Sequence, residues 1–89
     1  MPVSFQNDIL PLFRRIDINH MKPMGVLLDD YGYMSDPAGD STYADHANAR
    51  GVNCYLTGEC QPQMPLGGPY WTPDQLQLFQ QWMTDGFQP

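Results

Sequence analysis

An 89-residue chain is long enough for one core and too short for two, so residues 1–89 are read as a single domain. A 42% hydrophobic content with 12% aromatics supplies enough apolar surface to exclude a disordered chain. Ten acidic residues against four basic ones give a net charge of -6 with no basic stripe, which excludes phosphate-driven nucleic-acid binding and adhesion to anionic membranes.

The opening stretch MPVSFQNDILPLF has no basic n-region and no long apolar run, so no signal peptide is expected and the location predicted is cytoplasmic. No stretch approaches the ~20 apolar residues of a membrane span. A first helix is predicted from Ser4, an N-cap candidate, with Phe5, Ile9, Leu12, Phe13 and Ile16 at helical spacing. Pro11 lacks an amide hydrogen and clashes one turn back, so it must kink this helix or restart it. From Asp17 to Gly25 the chain is expected to leave the helix, with Pro23 and Gly25 as breakers.

A short helix or turn is expected around Leu28 to Tyr33, followed by the loop SDPAGDST. Asp40, Ser41 or Thr42 can cap a second long helix over roughly Tyr43 to Leu56, stopped by Gly58. ECQPQMPLGGPYW is too rich in proline and glycine for regular structure. The clearest helix follows: Thr72 as cap, Pro73 at the first position, Asp74 in the first turn and Gly86 as stop. Its Leu76, Phe79, Trp82 and Met83 form one apolar face. No strand with hairpin signals appears. The class is all-α: a small bundle of three to four short helices with long Pro/Gly-rich loops.

The order of helix, histidine, irregular middle, helix, Met-Pro loop and final aromatic helix resembles small class I c-type cytochrome domains over nearly the whole chain. FQNDILPLF looks like the family's first helix, and QMPLGGPYWTPDQLQLFQQWMTDG looks like its axial-methionine loop and last helix. The resemblance implies that His20 and Met64 occupy the haem-ligand positions. The family's C-x-x-C-H reads here Ile16-Asp17-Ile18-Asn19-His20, and neither Ile16 nor Asn19 can form a thioether. Covalent haem is therefore excluded, no cofactor is expected, and the resemblance becomes one to a haemless cytochrome c-like domain. A vacated haem site of several hundred Å³ would cost about 24 cal/mol per Å³. Met21, Met24, Leu27, Leu28, Tyr31, Tyr33 and Met34 are expected to fill it, methionine being suited to irregular gaps.

His20 with Met21, Met24 and Met64 also makes a candidate copper site, since imidazole and thioether suit that ion. The plainer alternative is core methionine beside a histidine bonded to a backbone carbonyl. Asp29, Asp30, Asp36 and Asp40 match no calcium loop and suit helix caps and turns. His46, Asp45 and Arg50 read as a polar helix face, with no nucleophile converging on them. Cys54 and Cys60 would lie about 9 Å apart along an intact helix, too far to bridge. A glycine-led exit at Gly58 could return Cys60 to Cys54, whereas a cytoplasmic setting favours thiols. Both outcomes stand. Tyr70 and Trp71 either pack under their loop or contact a partner, being residue types that dominate interface hot spots. The expected function is that of a non-catalytic accessory or interaction module, not an enzyme, partnering a protein such as a redox enzyme. The alternative is a metal-binding protein using His20 and the nearby methionines.

Overall fold

The computed structural model describes residues 3–65 and 68–89; Leu66 and Gly67 of the Met-Pro loop lie outside the described residues, as do Met1 and Pro2. The fold is all-α, with no strand among the described residues. Among the described residues four α-helices follow in chain order: α1 Arg15–Met21, α2 Tyr31–Met34, α3 Ala47–Thr57 and α4 Pro73–Thr84. No helix among these residues is long and apolar enough to cross a membrane.

The first predicted helix is broken rather than kinked. Ser4 caps it as its type predicts, its side chain accepting from Asn7 N–H while Asp8 accepts from Ser4 N–H. The turn at Phe5–Ile9 is π-helical, and Leu10–Leu12 tightens to a 3-10 turn with Pro11 near its start. Phe13 and Arg14 are extended, and α1 starts afresh at Arg15. The break resets the helical register. Ile16, expected on the buried face, is 67% exposed, and Asp17 is buried in its place. The exit expected at Asp17–Gly25 is likewise corrected: the helix runs through His20 to Met21, adds a 3-10 turn at Lys22–Met24, and stops at Gly25 with φ 82°.

α2 is capped by Asp30, which accepts from Tyr33 N–H. α3 begins at Ala47 rather than near Tyr43, because the Asp40 side chain accepts from Thr42 and Tyr43 N–H and closes that stretch into a turn. Gly58, at φ 88°, ends α3 as predicted. α4 carries a reciprocal capping box between Thr72 and Gln75.

α4 packs against α3 and the N-terminal turn. Trp82 is the hub, its ring 5.5 Å from Phe5, 5.5 Å from Phe79 and 5.1 Å from Phe87. The C-terminal tail is tied to the start of the chain: Phe5 N–H donates to Gln88 O at 3.0 Å and Ser4 Oγ to Pro89 O at 2.7 Å. Trp82 Nε1 also donates to Gln88 O, at 2.7 Å, and Tyr31 OH to Phe87 O, at 2.6 Å. Val3 N–H donates to Asp85, which holds that carboxyl below its usual range. Each bond fixes a loop that lacks a helix ladder of its own.

Candidate functional site

A cavity of about 390 Å³ lies among α1, α3 and the segment that carries Met64. Its inner wall is apolar: Phe13, Met21, Leu28, Val52, Met64 and Trp71 line it and are buried. Its exposed rim is mixed, with Met24, Tyr55 and Pro62 beside the carboxylate of Asp40. Met24, 67% exposed, and the exposed Tyr55 both belong to the lining. Phe13 and Trp71 pack together with ring centres 5.2 Å apart, joining the N-terminal turn to the stretch before α4.

Two features hold the Met64 side in place. Cys54 and Cys60 form a disulfide, with Cα atoms 5.2 Å apart, because Gly58 turns the chain back beside α3. Beyond it, Met64 N–H donates to Tyr55 O at 2.9 Å and the Gln63 side chain to Leu56 O at 3.4 Å. Met64 and Pro65 are thereby brought to the wall.

Polar groups on the wall are few. Arg14 donates twice to Asp17, at 2.8 and 2.9 Å, and this pairing raises the Arg14 pKa. Asp40 is held below the usual carboxylate range by the Tyr43 and Thr42 amides. Asn48 donates to Tyr33 O at 3.0 Å. Tyr33 and Tyr55 add hydroxyls, and burial pushes the Tyr33 pKa up. No lysine, arginine or histidine lines the cavity among the described residues.

The filling expected from the middle segment is not what the structure contains. Met34 is fully buried in the main core, and Tyr31 packs on Phe5 at 5.6 Å. Met21, Met24, Leu28 and Tyr33 stand around the cavity without closing it. The expected energetic penalty belongs to a sealed apolar hole. A cavity with exposed residues at its mouth and carboxylate, amide and hydroxyl groups on its wall admits water and escapes most of that cost.

The four proposed metal-site residues are only partly brought together. Met21, Met24 and Met64 line the same cavity, whereas His20 is exposed on α1 and outside the lining. His20 leaves the candidate set because the fresh start of α1 turns it to solvent. Among the described residues, no three His, Cys, Asp or Glu side chains are placed to hold a metal ion. Asp30, Asp36 and Asp40 instead serve backbone amides. Asp45 pairs with Arg50 at 2.8 Å, which lowers its pKa. His46 stacks on Phe87 at 3.7 Å, away from the cavity lining.

These residues do not fit haem. Ile16 and Asn19 offer no thiol, and His20 does not face the cavity. Among the described residues, no lysine, arginine or histidine on the wall could receive the propionates of a haem. Sequence reasoning missed the Arg14–Asp17 pair, although their i,i+3 spacing was a usable signal. It also passed over Gly51, a glycine in the middle of α3 on the cavity wall. Compared with protein-family models, curated proteins and solved structures, the chain matches none of them.

Proposed function

We propose that this chain is a non-catalytic accessory module, a haemless counterpart of small c-type cytochrome domains that acts by contact with a protein partner, an oxidative enzyme fitting best. The observation that carries this reading is the cavity beside Met64 with large exposed apolar side chains at its rim. Met24 and Tyr55 present exposed apolar surface there, and Tyr70, 52% exposed, adjoins the wall residue Trp71. Aromatic and methionine side chains of this kind anchor interfaces. The wall positions of Met64 and Trp71 support the cytochrome c-like part of the reading. The engaged state of Asp17 and Asp40 suits holding rather than proton transfer. The Cys54–Cys60 bridge supports an oxidising surrounding in place of the cytoplasm expected from sequence.

A photo-crosslinking residue placed at Tyr70 is expected to capture one discrete protein in the native extract, identified by mass spectrometry as a redox enzyme. The same residue at Gln80, exposed on α4, should capture none, and Met24→Asp should suppress the Tyr70 adduct. Equal capture from both positions, or none from Tyr70, rejects the reading.

A second reading has one specific support: three thioethers, Met21, Met24 and Met64, on one wall. Thioether ligands suit Cu(I). Anaerobic Cu(I) titration is expected to show no site tighter than about micromolar (about -8 kcal/mol). A tighter site lost in Met64→Leu and kept in His20→Ala would establish the metal-binding function instead.

A further inference from the structure

The cavity lining distinguishes among ligands by shape and charge. Its volume of about 390 Å³ falls in the range of small-molecule sites, ~300–1,000 Å³. Trp71, Phe13 and Tyr55 offer ring surfaces, and Met21, Met24 and Met64 offer polarisable thioethers that pack favourably on aromatic rings. Gly51 leaves the backbone of α3 bare: a Cβ built there meets nothing within 4 Å. Glycine in a helix interior is less favourable than alanine by up to about 1 kcal/mol, so this position forgoes helix stability where a side chain would have had room. A bare backbone allows a flat molecule to lie close against the helix.

Charge narrows the class further. The wall carries Asp17 and Asp40, and no cationic side chain among the described residues faces the cavity. Arg14 is committed to Asp17 in a paired contact. The chain as a whole carries -6. An anion entering this space would meet the exposed Asp40 carboxylate and, among the described residues, no free cation, since Arg14 already neutralises Asp17. A cation would be drawn to Asp40 and to the ring faces.

We infer that the cavity is a binding site for a planar aromatic small molecule that is uncharged or singly cationic. The site goes beyond the partner-docking reading and does not rest on it, because the cavity holds such a ligand whether or not a protein covers its mouth.

Dye titration of the intact oxidised protein tests this. Acridine orange, a planar cation, and Nile red, a neutral dye, should each bind at one site per chain. The anionic dye ANS should bind at least about tenfold more weakly. Gly51→Leu and Gly51→Phe should each lower affinity for the first two dyes by about tenfold or more. Gly51→Ala should retain binding and melt at a higher temperature. A readout in the unmodified protein guards against misfolded variants: on dye binding the methyl resonances of Met21, Met24 and Met64 should shift, and that of the core residue Met34 should not. ANS binding as tightly as acridine orange would overturn the inference. So would unchanged affinity in folded Gly51→Leu and Gly51→Phe, or dye binding that leaves the three wall methionines unshifted.

Discussion

Trp82→Ala is expected to remove about 3–5 kcal/mol, a large share of the stability of the whole protein. The indole is 0% exposed and touches Phe5, Phe79 and Phe87, so it joins the N-terminal turn, α4 and the C-terminal tail. Truncating a buried tryptophan typically costs about 3–5 kcal/mol. A chain of this length has roughly 4–13 kcal/mol of total stability. The loss also removes one of the two donors to Gln88 O, the Trp82 Nε1 bond at 2.7 Å, leaving the Phe5 N–H bond alone to hold the tail there. Each kcal/mol shifts the melting temperature of so small a domain by about 4–8 °C. A drop of at least about 12 °C by circular dichroism is therefore expected. Trp71→Ala should cost less, because one side of Trp71 already faces the cavity and loses fewer packed neighbours. If Trp71→Ala proved the more damaging of the two, the hub would have been misplaced and the cavity would be part of the core.

Much of this arrangement was legible in the chain because it rests on local chemistry. The end of α3 at Gly58 and the whole of α4 follow from caps, proline placement and glycine stops that act within a few residues. The partner faces of α4 followed from periodicity, with Phe79 and Trp82 buried as predicted. What was not legible depended on register. Pro11 announced an interruption, but not that Phe13 and Arg14 would run extended before α1 began again. That offset of a few residues turned Ile16 and His20 outward and Asp17 inward.

The candidate site was less readable for a related reason. Its wall draws on segments from Phe13 to Trp71, and only tertiary packing brings them together. Met21, Met24, Met64 and Trp71 could be singled out by residue type, while the bare backbone at Gly51 and the rim residue Tyr55 have no local signature. Whether the middle segment fills a space or encircles it is also non-local: Met34 and Tyr33 are neighbours on α2, yet one enters the core and the other the cavity wall.

Removing the Cys54–Cys60 bridge should lower stability by about 2 kcal/mol, through the added freedom of a short loop in the unfolded chain. The melting temperature should then fall by about 8–16 °C, in the reduced protein and in Cys54→Ala/Cys60→Ala alike. The folded state should change in one place. Residues Ala47 to Thr57 keep their helix ladder and the Gly58 stop, so α3 itself has no reason to melt. The chain from Cys60 onward, by contrast, keeps among the described residues Cys60 N–H to Cys54 O, Met64 N–H to Tyr55 O and the Gln63 side chain to Leu56 O as hydrogen-bonded ties to that helix. Hydrogen exchange at the Met64 amide should accelerate, while the amides of Val52 and Leu56 within α3 should not. Because Met64 and Pro65 form part of the cavity wall, affinity for a planar dye should weaken in step with that loosening. Equal acceleration along α3 would instead mean that the bridge holds the helix. An unchanged melting temperature with unchanged exchange at Met64 would mean that the hydrogen bonds alone suffice to hold the wall.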